Sequence, residues 1–171
     1  MANDVNTEST LHFEPIARAD VPALTAVMTR AFDDDSQKHL GKERGGPPGY
    51  DDGTFFEQWL FGYEQTAGYK VTLDGALVGG VIVWDLPDGQ NYLGTIFVDP
   101  AYQDRGIGTQ IWQFVEASYP EAKSWQLGTP IWAVKNHHFY ENKCGFARLE
   151  VKEDEIVYRK EMSPAPDQRA R

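Results

Sequence analysis

The chain has 171 residues, 41% of them hydrophobic and 13% aromatic, which suits one folded domain and excludes disorder over most of its length. Sixteen basic against 26 acidic residues leave a formal net charge of −10, which argues against nucleic acid or an anionic membrane surface as a partner. The single cysteine cannot form an internal disulfide, the four histidines show no zinc-ligand spacing, and no apolar run approaches the ~20 residues of a membrane span. The first ten residues are polar and do not have the form of a signal peptide, so a cytoplasmic protein without a bound metal is expected. Charge is uneven along the chain. Residues 1–98 hold 15 acids and 6 bases, and residues 99–171 hold 11 acids and 10 bases. An anionic ligand is therefore expected against the second half and a cationic one against the first.

Taken in order, residues 1–10 read as a flexible N-terminus and residues 11–16 (LHFEPI) as a short alternating strand. Asp20 as N-cap and Pro22 in the first turn predict a helix to about Phe32, with Val21, Leu24, Met28 and Ala31 on one face. From Asp33-Asp34-Asp35 through GGPPGYDDG (45–53) a loop of roughly twenty residues is expected, long enough to suggest a functional role. Phe56, Trp59, Leu60 and Tyr63 recur at helical spacing over about 54–65. Residues 69–73 and 76–85 flank Asp74-Gly75 and read as a hairpin. Residues 91–98 (NYLGTIFV) read as a strand, 106–119 as an amphipathic helix and 125–129 as a strand. A short helix is expected over 136–143, with strands over 147–150 and 156–161. The tail from 163 to 171 is polar and proline-containing, so a domain over 11–162 with a flexible end is expected. The order β-α-α-β-β-β-α-β-α-β-β joins an antiparallel meander to a βαβ crossover. It implies one mixed, mostly antiparallel α/β sheet of about seven strands with four helices.

The stretch Val98-Asp99-Pro100-Ala101-Tyr102-Gln103-Asp104-Arg105-Gly106-Ile107-Gly108-Thr109 joins a strand to a helix. Unpaired amides at a helix start, free of Cβ atoms at Gly106 and Gly108, can hold a phosphate, and Arg105 adds positive charge. The same glycines can instead serve close packing alone. The stretch is not a Walker loop, because Gly108 is followed by Thr109-Gln110. It is not a dinucleotide fingerprint either, because residue 111 is Ile. A second cluster, Asn136-His137-His138-Phe139-Tyr140 with Cys144-Gly145-Phe146, opens the last short helix and ends it.

With both clusters in view the chain resembles the GCN5-related N-acetyltransferase (GNAT) superfamily. The resemblance rests on Val98-Asp99-Pro100, on Gln103-x-x-Gly106-x-Gly108 and on Asn136-x-x-Phe139-Tyr140 with Gly145-Phe146, and it spans residues 11–161. It implies a fold in which the strands at 91–98 and 125–129 splay apart, and acetyl-coenzyme A as co-substrate. It further implies that the amides of Gln103, Asp104, Arg105, Gly106, Ile107, Gly108 and Thr109 hold the pyrophosphate. Phe97 and Val98 would pair with the pantetheine arm, and the Val98 N–H would polarise the acetyl carbonyl. Asn136 would bond the pantetheine or the helix start. Tyr140 would be the acid that protonates the leaving thiolate, as a phenol can. Pro130, lacking an N–H, suits a strand that stops pairing. Family habit suggests a homodimer.

No base is evident, since residues 91–98 hold neither an acid nor a histidine. A water chain, Asp85 or Glu57 are the candidates. His137 and His138 are expected to be one packed and one exposed, and Cys144 a small buried residue. Asp33, Asp34 and Asp35 with Trp59 and Trp84 would form an acidic, aromatic-walled site for an ammonium group. The expected function is acetyl transfer to a cationic small-molecule or peptide amine. The competing expectation is a non-catalytic acyl-CoA-binding module.

Overall fold

A computed structural model describes residues 10–163. The expectations for residues 1–9 and 164–171 lie outside the described residues. Seven strands form one sheet in the order β1-β2-β3-β4-β5-β7-β6: β1 (Leu11–Pro15), β2 (Thr66–Leu73), β3 (Ala76–Trp84), β4 (Gln90–Val98), β5 (Ser124–Pro130), β6 (Ala147–Lys152) and β7 (Glu155–Glu161). Every neighbouring pair is antiparallel except β4 and β5, so the expected mixed sheet is present. The helices are α1 (Val21–Leu40), α2 (Thr54–Trp59), α3 (Ile107–Ser118) and α4 (Val134–His138), and α4 runs on into a π turn over Phe139–Lys143.

Alternate side chains of β3 divide between two cores, as a period of two requires. Ile82 packs with Leu24, Val27 and Met28 of α1 and with Phe56 of α2, while Val81 and Val83 pack with Ile111, Trp112 and Val115 of α3. No helix among the described residues is long and apolar enough to cross a membrane.

Several boundaries differ from the sequence expectation. Helix α1 continues past Phe32 to Leu40, so Asp33, Asp34 and Asp35 are helical and the loop shrinks to residues 41–53. An Asp34–Lys38 ion pair (2.8 Å) one turn apart and the left-handed Gly41 cap (φ +64°) support the extra turns. These residues carry too few apolar positions to announce a helix. Asp20 occupies the N-cap position of α1 but makes no side-chain cap bond; its carboxylate turns back to accept from the Ala17 amide (2.8 Å) and the Lys70 ammonium (2.9 Å). Helix α2 stops at Trp59, because the Thr66 hydroxyl donates to the Leu60 and Tyr63 carbonyls (2.7 and 2.9 Å) and starts β2 early. Pro130 stays within β5, opposite Glu155 of β7. The Ile131 amide donates to Asp154 O (2.7 Å), so the Pro130 nitrogen points away from β7, to the β4 side.

That side is where the sheet opens. Strands β4 and β5 pair only over Gln90–Tyr92 and Ser124–Gln126. Beyond them the register of β4 on β3 jumps from Leu93 opposite Val83 to Thr95 opposite Ile82, leaving Gly94 as the extra residue of a bulge. The far end of β4 is fixed by Asp99. Its carboxylate accepts from the Arg30 guanidinium of α1 (2.6 and 3.2 Å) and from the Ala101 amide (3.1 Å), and it is almost fully buried. Replacing Asp99 by Ala strips a turn of its cap and unties α1 from β4. A loss of about 2 kcal/mol in urea unfolding is expected, against less than half of that for Arg30→Ala, whose side chain is half exposed.

Candidate active site

The opening between β4 and β5 leads into a cleft of about 850 Å³. Residues 94–98 of β4, 128–130 of β5, the start of α3, the end of α1 and the α4 turn form its walls. On β4, the Asp99 amide donates to Val78 O of β3 (2.7 Å). Ladder bonds alternate from edge to edge, so the Val98 amide one residue earlier points into the gap. Val98 O accepts from the Gln103 side-chain amide (3.3 Å), and the Phe97 ring turns the other way, against Phe56. Phe97 and Val98 both border the cleft.

In the turn before α3, Asp104 (φ +61°) and Gly106 (φ +76°) both adopt the left-handed conformation on either side of Arg105. Such alternation turns successive amides toward one concavity. No side chain caps α3, so the amides of Ile107, Gly108 and Thr109 keep their hydrogen-bonding capacity at the positive end of the helix. Gln103, Asp104, Gly106, Ile107, Gly108 and Thr109 all line the cleft. The two glycines differ in what they allow. Space around Gly106 is open, and its backbone angle is what needs glycine, whereas a Cβ on Gly108 would sit 3.2 Å from the Phe139 ring. Arg105 is not part of the lining; its guanidinium lies over the Tyr102 ring, 5.4 Å from the centroid.

Lys135 was not singled out from the sequence. Its ammonium donates to the Gln103 side-chain oxygen (2.6 Å), linking α4 to the turn before α3. Lys42, Arg44 and Lys143 also line the cleft. Counting charge by halves of the chain cannot show this convergence, because Lys42 and Arg44 belong to the acidic half.

Tyr140 borders the cleft from the π turn and is buried against Phe139, Phe146 and Tyr158. Burial, with the Cys144 thiol and the Asp35 carboxylate adding to it, pushes the phenol's pKa above its usual value. The hydroxyl therefore keeps its proton across the neutral range. Asn136 lines the cleft and donates to the Thr129 hydroxyl (3.2 Å). His137 is buried on the Pro130 carbonyl (2.9 Å) and His138 is exposed, as the sequence suggests. Cys144 is buried, and burial pushes its thiol up to about 12.

The five candidate acceptor residues are not brought together. Asp33 accepts from the Tyr50 hydroxyl (2.7 Å), the Gly45 amide (3.1 Å) and Arg44 (3.4 Å), and so holds the 41–53 loop on α1. Asp34 pairs with Lys38, and Asp35 alone of the three lines the cleft. Trp59 stacks on Tyr63, which packs on Trp84 (4.5 Å between ring centroids), away from the cleft lining. Of the two candidate bases, Glu57 pairs with Arg18 (2.6 Å) and Asp85 accepts from the Asn91 side chain (3.1 Å); neither borders the cleft. No group of three or more His, Cys, Asp or Glu among the described residues could hold a metal ion.

The acetyltransferase (GNAT) family model matches residues 28–146. The chain belongs to this family. Among curated proteins it is 39% identical over 83 residues to the uncharacterized protein YrkN of Bacillus subtilis (strain 168), a match over 48% of this chain and 45% of YrkN. The chain thus matches under half the length of that relative. Its fold is similar to that of an acetyltransferase from Thermus thermophilus (TM-score 0.74, 18% identity, 90% of this chain and 97% of the other). It is also similar to the ribosomal-protein-S18-alanine N-acetyltransferase of Escherichia coli (0.72, 18%, 93% and 98%) and to the PaiA N-acetyltransferase of Thermoplasma acidophilum in complex with coenzyme A (0.71, 13%, 90% and 99%). At these identities the solved structures establish the GNAT fold.

The Asp33 contacts can be tested by stability. Burial works to raise the Asp33 pKa, but the Tyr50, Gly45 and Arg44 hydrogen bonds outweigh it, and the net shift is downward. Its contribution is present above the unfolded value near 4 and is lost as pH falls through the lower folded value. Asp33→Asn should cost about 1–2 kcal/mol in chemical unfolding at pH 7, and the gap to the parent should shrink below pH ~4.

Proposed function

We propose that the protein transfers an acetyl group from acetyl-coenzyme A directly to a primary amine carried by a cationic small molecule or a peptide. The observation that carries this reading is convergence. The Val98 amide, the uncapped start of α3 and the Tyr140 phenol all border one cleft between parted strands. The residues present suit a coenzyme A thioester: a row of main-chain amides with Lys135 beside it fits a diphosphate, and a free strand edge fits an amide-bearing arm. The coenzyme A complex of the Thermoplasma acidophilum neighbour supports the same ligand.

In this reading the amides from Gln103 to Thr109 hold the pyrophosphate, with Arg105 outside the lining as a peripheral charge. Gln103 and Lys135 close one flank, and Phe97, Val98 and Asn136 seat the pantetheine. The Val98 N–H draws charge onto the carbonyl oxygen as the acceptor adds. Tyr140, held protonated by burial, returns a proton to the departing sulfur. Asp35, the cleft carboxylate of the acidic trio, attracts the acceptor's ammonium group. Asp33 and Asp34 support it only through the shape of α1.

The reading is tested by calorimetry with acetyl-coenzyme A and by thiol release with putrescine, spermidine, tyramine and a tripeptide with a free amino terminus. Saturable binding and turnover of at least one amine are expected. Tyr140→Phe should lower kcat by ~10²-fold with the binding isotherm preserved. Absence of saturation overturns the proposal. Binding without turnover of any amine replaces it with a non-catalytic acyl-CoA-binding module.

A further inference from the structure

We infer that Asp35, on the C-terminal turns of α1, is the base that takes the acceptor's proton, in the same cleft that the Tyr140 acid borders; this rests on the acetyl-transfer reading above. Strand β4 offers no ionisable side chain along the cleft. Among the described residues lining it, the carboxylates are Asp35 and Asp104. Asp104 belongs to the left-handed turn before α3, beside the amides that suit a diphosphate. Asp35 comes from the C-terminal turns of α1, away in sequence from that turn, and its charge acts on Tyr140.

The groups around Asp35 leave it free to act. On its own helix, Asp34 forms an ion pair with Lys38 (2.8 Å). His39, one turn on, accepts the Lys135 amide at Nε2 (3.5 Å), and its Nδ1 is buried with no partner among the described residues. From α4, Lys135 acts on Asp35 through space but places its ammonium on Gln103 (2.6 Å). Among the described residues Asp35 has no ion pair, and burial raises its pKa against the pull of Lys135, His39 and Lys38. A carboxylate with a raised pKa is a better proton acceptor. Lys42, Arg44, Lys143, Asp104 and His138 also line the cleft, and His138 Nδ1 lies 2.9 Å from the Asn142 side-chain amide.

The acceptor ammonium gives one proton to the Asp35 carboxylate, which later releases it to solvent through the cleft mouth. The neutral nitrogen forms its bond to the acetyl carbon, and the carbon–sulfur bond breaks. The sulfur takes a proton from Tyr140, and Tyr140 regains one from the second proton lost by the nitrogen.

The experiment compares the parent with Asp35→Asn and Asp35→Glu, using the fastest amine of the panel and aminoacetonitrile, which is already neutral at pH 7. Asp35→Asn should lower kcat ~10²-fold on the basic amine and leave aminoacetonitrile within a few fold. The deficit should shrink as pH rises toward the amine's pKa, and Asp35→Glu should recover part of it. Acetyl-coenzyme A binding should be unchanged, and a carboxyl NMR titration should place Asp35 above the ordinary aspartate value near 4. An unchanged kcat with a raised KM, or equal losses on both amines, overturns the assignment. If Asp35→Asn does not fold, an ordinary titration in the parent with an Asp35→Glu pH profile matching it does the same. A parent that binds no acetyl-coenzyme A sinks the acetyl-transfer reading; a parent that turns over alongside an equally active Asp35→Asn sinks only the base.

Discussion

The structure depends on two strands that start as neighbours and then part. Each keeps a partner on its outer side, β3 for β4 and β7 for β5, so neither is free to close the gap. The Gly94 bulge bends β4 away, and at Pro130 the chain has no N–H to offer across the opening. What is left is a rigid slot with hydrogen-bonding groups along one edge. Polar groups left unpaired in such a place cost about 1–3 kcal/mol each, and an extended ligand that pairs with them removes that cost. The slot therefore suits an extended ligand before any side chain is considered, and the position of α3 follows from it. Because β4 ends at the slot, the helix after it begins there with its amides exposed.

Electrostatics then separates this cleft from the rest of an acidic protein. The net charge is −10, and several carboxylates among the described residues are engaged in structure. Asp33 holds a loop, Asp34 pairs along α1, Asp52 accepts from Thr54, and Asp99 ties α1 to the end of β4. The cleft instead gathers Lys42, Arg44, Lys135 and Lys143 around two acids. Surface pairs such as these add little stability one by one. Their effect is on potential: the mouth can attract an anionic cofactor while Asp35, which has no ion pair among the described residues, stays available.

The fold was legible wherever local pattern and burial agree. The Asp74-Gly75 hairpin, the strand over 91–98 and the amphipathic helix after Gly106 each carry a period that their packing obeys. Legibility failed where the reason for an element lies elsewhere. Residues 33–40 show no apolar stripe, and the helix persists through an ion pair and a glycine cap. Asp20 has the composition of a helix cap but is claimed by Lys70, 50 residues away. Of the residues that line the cleft, Gly106, Gly108, Asn136 and Tyr140 could be singled out from spacing and from resemblance. The acidic trio with Trp59 and Trp84 could not be placed, since nearness in sequence says nothing about which cleft a side chain borders.

By itself the sequence determined the order of elements and the glycine-opened helix after a strand, and it pointed to the residues to which the proposed reading gives the anion and the proton. These are local properties, set by periodicity and by the backbone freedom of a few positions. Only the tertiary structure decided that β4 and β5 part after three residue pairs, that Lys135 closes on Gln103, and that Asp35 rather than Asp33, Asp34, Glu57 or Asp85 borders the cleft with Tyr140. Each of those depends on elements far apart in the chain packing at one angle, and that angle is set by the whole sheet rather than by any segment of it.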